Sequence, residues 1–348
     1  MNSLTLPYAD DCHLHLREGH ALDRTVADAT TYCARAIVMP NLITPVTTVK
    51  QALHYRQAIL TACPKEVRWQ PLMTLYLTDD LPVDTIAQAG QCEHIFAAKL
   101  YPAASTTHSQ AGVTSIKALY PIFSAMQDID LPLLIHGEVT TLETDIFARE
   151  KQFIDKELVP LIKDFPKLRI VLEHVSTQYA VEFILASPAN IAATITAHHL
   201  LLNRNDLLVG GIKPHHYCLP ILKKRSDQIA LITAATGGSG KFFLGSDSAP
   251  HIQHSKESAC GCAGIYTAHA ALSFYAEVFE QADALSQLPG FASQFGADFY
   301  HLPRNQKTLT LVKKSQKIPD SLDFSGDKLI PLRAGGNVSW SILKDDAS

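Results

Sequence analysis

Asp11-Cys-His-Leu-His-Leu-Arg17 is the stretch whose reading decides the fold. Side chains alternate between the two faces of a strand, so His13, His15 and Arg17 point one way while Cys12, Leu14 and Leu16 point the other. One face is polar and the other packs. Two imidazoles in this spacing lie parallel and close enough to hold one metal ion, although His-x-His by itself also fits the polar lining of a barrel interior.

Working outward, apolar runs of strand length recur at Ala36 to Met39, Trp69 to Leu77, Ile95 to Leu100, Leu133 to His136, Ile170 to His174, Ile191 to Thr196 and Phe242 to Ser246. Amphipathic or Ala-rich segments of helical period separate most of them. Eight β-then-α units predict a closed parallel (β/α)8 TIM barrel of the α/β class. The barrel is expected to occupy residues 1–301. Beyond Leu302 the pattern shifts to short alternating pieces such as Thr308-Leu-Thr-Leu-Val312, broken by Pro319, Gly326, Pro331 and Gly335-Gly336. Residues 302–348 are therefore expected to form a short C-terminal extension packed on the barrel.

Barrel enzymes carry their chemistry at the C-terminal ends of the strands. His136, His174 and Asp247 each close one of the apolar runs, and all three are metal-ligating types. Either histidine alone fits a satisfied core residue; all of these residues together fit a metal centre better. Lys99 lies near the end of Ile95-Phe-Ala-Ala-Lys-Leu100, where its ammonium is desolvated. A neutral amine near two cations can add carbon dioxide to give a carbamate, which resembles a carboxylate and can bridge two ions. The alternative is an ammonium that reaches solvent or a carboxylate partner.

The composition limits the other possibilities. Of 348 residues, 47% are apolar and 18% charged, which suits a cored enzyme and not a disordered chain. A net charge of −4 without a basic run argues against nucleic acid as a partner. No apolar run is long enough to cross a bilayer, and Met1 to Leu16 contains no Lys or Arg, so neither a membrane nor a secretory signal is expected. The seven cysteines are odd in number and scattered, as in a protein of the reducing cytoplasm.

His13-Leu-His15, Lys99, His136, His174 and Asp247, in this order, resemble the binuclear metal set of the amidohydrolase superfamily. Asp11-Cys-His-Leu-His-Leu-Arg-Glu18, Met39-Pro-Asn41, Ala98-Lys-Leu-Tyr-Pro102, Ile135-His-Gly-Glu138, Gly245-Ser-Asp-Ser-Ala-Pro-His251 and Gly261-Cys-Ala-Gly264 are similar to the dihydroorotase family of the stand-alone bacterial type. That resemblance runs from about Asp10 to Gly264. It implies reversible cyclisation of N-carbamoyl-L-aspartate to L-dihydroorotate in pyrimidine synthesis, by a homodimer with two zinc ions per subunit.

On the same resemblance, His13, His15, Asp247 and a carboxylated Lys99 (N6-carboxylysine) hold one ion, while that carbamate, His136 and His174 hold the other. Asp247 also moves the catalytic proton. Arg17, Asn41 and His251 bind the substrate carboxylate, backbone groups near Leu219 and Ala263 read the ring amide, and Thr106 and Thr107 ride on a closing loop. The two ions outweigh their anionic ligands, so the site attracts anions. Asn41 also fits a turn residue after Pro40, and the 102–112 stretch an inert surface loop.

Other motifs are set aside. Gly237-Gly-Ser-Gly-Lys241 precedes a strand and lacks the Ser or Thr of a phosphate loop. Cys260-Gly-Cys262 has no second cysteine pair, which leaves buried or loop thiols. His198-His199 and His215-His216 are read as structural or as supporting the site, because the metal set is complete without them. A hydantoin, dihydropyrimidine or allantoin hydrolase would use the same metals, and only Arg17, Asn41 and His251 argue against it. A silent barrel serving as an assembly partner would be expected to lack a ligand or the aspartate, and none is missing.

Overall fold

The computed structural model describes residues 2–259 and 261–343; Cys260 and the last five residues of the expected extension lie outside the described residues. A first strand, β1 (Ser3–Pro7), precedes eight parallel strands: β2 (Ala9–Leu14), β3 (Cys33–Val38), β4 (Gln70–Tyr76), β5 (Ile95–Leu100), β6 (Leu133–Ile135), β7 (Ile170–Leu172), β8 (Ile191–Ile195) and β9 (Phe242–Leu244). These eight pair in sequence order, with helices in the connections. The ring closes without a full ladder. Asp247 N–H donates to His13 O at 2.9 Å and His15 N–H to Ser248 O at 3.3 Å, so residues of the site themselves form the seam.

Period-two alternation explains the two cores. Ala36, Val38, Ala98, Leu133, Ile135, Ile170 and Leu172 face outward, into a large apolar layer between sheet and helices. Ile37, Leu72, Ala97, Leu134, Val171, Ala192 and Phe243 face inward and form a separate plug, joined by Cys12 and closed by Tyr300. The next inward positions lie two residues further along each strand. Those positions hold Lys99 above Ala97, His136 above Leu134 and Glu173 above Val171. An apolar plug thus floors a polar layer, as barrel geometry requires.

One expectation needs correcting. Cys12 does not share the outward face of Leu14 and Leu16 but belongs to the interior plug. The register of β2 against β3 shifts between Asp11 and Leu14, and such a bulge breaks the alternation. The strand also ends at Leu14, so Arg17 owes its direction to a left-handed backbone (φ 63) and not to strand period.

β10 (Thr308–Val312), β11 (Gln316–Lys317), β12 (Leu322–Phe324), β13 (Asp327–Leu329), β14 (Asn337–Val338) and β15 (Ser341–Ile342) follow the barrel. β10 pairs antiparallel with β1 and with β15, so the two ends of the chain share one small sheet. Trp340, fully buried, donates from its indole to Glu280 Oε2 at 3.0 Å, and Arg333 pairs with Glu277; both carboxylates lie on the helix Ala271–Gln281. Among the described residues no helix is long and apolar enough to cross a membrane.

Candidate active site

At the C-terminal mouth of the barrel, Nε2 of His13 and Nε2 of His15 stand 3.2 Å apart, and Asp247 Oδ1 lies 3.3 Å from the first and 2.9 Å from the second. Four ligands about 2.0–2.1 Å from a tetrahedral zinc lie about 3.3 Å from one another. The three atoms therefore fit one small cation. Each belongs to a buried side chain. Burial and the neighbouring Arg17 and His13 charges push the His15 pKa down to about 4 against the pull of Asp247, so His15 is neutral and has a lone pair to give. Burial would also lower His13, but the carboxylates of Glu173 and Asp247 outweigh it and lift His13 to about 9. Burial would raise Asp247, yet His13 and His15 hold it well below the usual carboxylate range. The pocket is built to hold positive charge.

A second pair sits beside the first. His136 Nδ1 is 3.1 Å from His174 Nε2, and Glu138 Oε2 lies 3.1 Å from the other ring nitrogen of His136, which fixes the ring with Nδ1 toward His174. Burial, with His136 close by, holds His174 well below its ordinary pKa and therefore neutral. His174 stands two residues beyond the end of β7 and Asp247 three beyond the end of β9, both in left-handed backbone, at φ 42 and φ 44. For residues other than glycine this conformation is strained, by roughly 1–3 kcal/mol, and is kept where the surroundings enforce it. Thr194 Oγ1 accepts the His174 N–H at 2.7 Å and His13 O accepts that of Asp247, and these bonds hold both kinks.

Lys99 is fully buried, and its desolvation lowers its pKa. Its Nζ hydrogen-bonds Glu173 Oε2 and lies 4.8 Å over the ring of Tyr101. The same Glu173 oxygen is 2.7 Å from His13 Nδ1, a contact whose angle falls short of an aligned ring N–H bond. Without modification, then, Lys99 has a carboxylate partner inside the barrel and does not reach solvent.

The opposite wall is suited to an anion. Arg17 Nη2 lies 3.0 Å from His251 Nε2, and Arg17 Nε donates to Pro250 O at 3.2 Å. His251 Nε2 is also 3.0 Å from Ala263 O. One ring nitrogen cannot accept from the guanidinium and donate to the carbonyl at once, so a carboxylate arriving at Arg17 would relieve the conflict. Asn41 Nδ2 donates to Thr107 O at 3.2 Å, and Thr107 Oγ1 to Ala263 O at 3.3 Å. The loop is thereby docked on both sides of the pocket. Arg17, Asn41, Tyr101, Thr106, Thr107, Leu219 and Ala263 line what remains together with His13, His15, His136, His174 and Asp247, a cavity of about 20 Å³. That is little more than one water molecule needs.

The structure gathers all of the candidate residues except Lys99 and His251 around that cavity; Lys99 sits beneath it and His251 behind Ala263. His198 and His199 are buried nearby, with Cys218 at ligand spacing. His199 is held by Thr196 and Pro220 O. His215 and His216 pair with Glu257 and Asp206 O. Three residues beside the site were missed from sequence: Glu173, Tyr101 and Glu138. Strand period carried the signal for Glu173, since it lies two positions beyond inward-facing Val171.

The model of the amidohydrolase family matches residues 9–309. A dihydroorotase from Vibrio vulnificus (strain YJ016) is 56% identical over 342 residues, covering 98% of this chain and 100% of its own length. One from Nitrosococcus oceani is 56% identical over 344 residues, with 99% and 100% covered. Among solved structures, the dihydroorotase from Saccharomyces cerevisiae in complex with 5-fluoroorotic acid superposes with a TM-score of 0.90 at 36% identity, covering 99% of both chains. An L-hydantoinase from Arthrobacter aurescens shares the fold, with a TM-score of 0.81 at 17% identity over 97% of this chain and 83% of its own.

Proposed function

Because the chain belongs to the amidohydrolase family, and within it to the dihydroorotases of pyrimidine biosynthesis, we propose that this pocket interconverts N-carbamoyl-L-aspartate with L-dihydroorotate and water, using two zinc ions and a carboxylated Lys99. The observation that carries this reading is the convergence of His13 Nε2, His15 Nε2 and Asp247 Oδ1 at the edge lengths of a cation's coordination shell, facing a wall suited to a carboxylate.

His13, His15, Asp247 and the Lys99 carbamate would hold one ion. His136 and His174 offer two ligand atoms for the other, and among the described residues no third His, Cys or carboxylate joins them at ligand spacing. A carboxylated Lys99 would supply the missing ligand. Its formation joins the neutral Lys99 nitrogen to the carbon of carbon dioxide and releases one proton. When bound, the ions supply a water acidic enough to ionise near neutral pH and polarise the ring amide carbonyl.

The chain's own residues do the rest. Asp247 is ionised, and both of its imidazole contacts fall on Oδ1, which leaves Oδ2 to carry a proton. In hydrolysis it takes that proton from the attacking water and returns it to the departing ring nitrogen; ring closure reverses both transfers. Arg17, Asn41 and His251 hold the carboxylate, the planar guanidinium giving a forked contact that lysine could not copy. Backbone groups of Leu219 and Ala263 read the ring amide. Thr106 and Thr107, on the docked loop, keep out the water that favours hydrolysis during cyclisation. The six described cysteines are all free, which supports a reducing, cytoplasmic setting.

An absorbance assay for L-dihydroorotate hydrolysis, with and without a chelator, tests the reading. The expected result is turnover lost on chelation and restored by zinc. Hydrolysis of hydantoin or dihydrouracil in preference to dihydroorotate would overturn the substrate assignment, and turnover indifferent to thorough chelation would overturn the metal centre.

A further inference from the structure

Lys256 is buried at 4% exposure, ends the short helix Gln253–Lys256 and does not itself line the pocket. Its Nζ donates three hydrogen bonds, to Tyr217 O at 2.7 Å, Cys262 O at 2.9 Å and Gly264 O at 2.6 Å. Those are all the donors an ammonium has, and among the described residues all three go to backbone carbonyls and none to a carboxylate. The Lys256 Nζ also lies 5.8 Å over the ring of Tyr217. A buried cation held by carbonyls and a ring face, without a carboxylate, is a costly way to stabilise a fold, since an apolar side chain of similar volume commonly does as well.

The placement of the three acceptors explains it. Cys262 and Gly264 flank Ala263, whose carbonyl faces His251 and Thr107. Tyr217 lies two residues before Leu219, and its carbonyl also accepts the Gly264 N–H at 3.0 Å. One ammonium thus ties together the two backbone segments that border the pocket across from the loop. Gly264 shows how little room there is. Its φ is +147, and a Cβ there would stand 2.7 Å from Ala249 Cβ and 3.0 Å from His251 Cδ2.

We infer that Lys256 is a positioning residue for substrate recognition: it fixes the carbonyls on either side of Ala263, and the chain leading to Leu219, at the spacing a cyclic amide bound at Arg17 requires. This rests on the assignment of Leu219 and Ala263 to the ring amide. The group acts through backbone and touches neither metal ligands nor the reacting atoms, so its loss should weaken binding and spare chemistry.

The test is steady-state hydrolysis of L-dihydroorotate by Lys256→Met and Lys256→Arg, with metal content and melting temperature measured alongside. In the Met variant KM is expected to rise about tenfold or more, with kcat within about threefold of the parent and metal content unchanged. Lys256→Arg keeps the charge but cannot converge three bonds from one atom, so its KM should fall in between. Should the Met protein not fold, Lys256→Gln retains two donors and is expected to raise KM about threefold or more. A folded variant with parental KM, or one whose loss lies in kcat alone, overturns the inference. A parent enzyme inactive on dihydroorotate overturns the functional assignment instead.

Discussion

Glu173 Oε2 lies 2.7 Å from Nδ1 of His13, inside the barrel and on the side of the imidazole away from His15 and Asp247. The contact is electrostatic and not an aligned N–H bond, and a carboxylate charge this close behind a metal-binding histidine raises the basicity of the nitrogen in front. Burial would raise the Glu173 pKa, but His13 and Lys99 lower it further, so the carboxylate is charged. Glu173→Gln keeps the shape and removes the charge. Metal affinity is expected to fall about 10-fold to 100-fold, read by metal analysis after dialysis against graded chelator. Unchanged affinity would mean that Glu173 serves only as a partner for Lys99.

On this reading Lys99→Ala removes the one group that, among the described residues, completes the His136–His174 pair. Metal content is expected to drop from about two ions per chain to one or fewer, with hydrolysis falling by about 100-fold or more. A small carboxylate such as acetate, fitting the space left by the side chain, should restore part of both. Two ions and full activity in the variant would remove the carbamate from the mechanism.

Most of the barrel was legible because its strands are short apolar runs, and β6, β7 and β9 are each followed within three residues by a polar group, where a barrel puts its chemistry. That His136, His174 and Asp247 meet at one cavity was legible for the same reason, whereas His13 and His15 stood out by their spacing and Lys99 by its apolar surroundings. Less visible was whatever departs from regular backbone. The bulge at Asp11 to Leu14 turned Cys12 inward, and left-handed backbone aims Arg17, His174 and Asp247 where no strand period could. Glu173 was passed over beside a histidine, although alternation from Val171 points it inward. Lys256 works through carbonyls, which have no signature in side-chain chemistry. The β1–β10 pairing joins Ser3–Pro7 to Thr308–Val312, and local pattern says nothing about partners so far apart.

Thr106 and Thr107 can be tested apart from their loop. The Thr106 N–H bonds Ser109 Oγ at 2.8 Å and the Thr107 carbonyl accepts from Asn41, and both bonds survive removal of the threonine side chains. Gly112 keeps the base of the loop tight, since a Cβ there would stand 2.5 Å from Tyr101 O. Thr106→Ala combined with Thr107→Ala is therefore expected to lower kcat about 100-fold while metal content and melting temperature stay near the parent. Near-parental turnover would show that the hydroxyls are not needed for closure.

His199 gives a pH dependence that can be separated from the metals. It is buried at 2% exposure, with Nε2 donating to Pro220 O at 2.9 Å and Nδ1 2.8 Å from the Thr196 hydroxyl. Burial lowers its pKa from 6.5 to about 4, against the pull of Pro220 O. Between pH 6.5 and 4 the unfolded chain therefore binds this proton and the folded chain does not. The stability held by neutral His199 is present above pH 6.5 and is lost as pH falls toward 4, by roughly 3 kcal/mol in all. Denaturant unfolding of the parent and of His199→Gln, compared across that range, should show a steeper decline for the parent. The Gln protein is less stable at neutral pH, and the gap should narrow as acid is added. Parallel profiles would mean that His199 is protonated in the fold and that its bond to Pro220 O does not require the neutral ring.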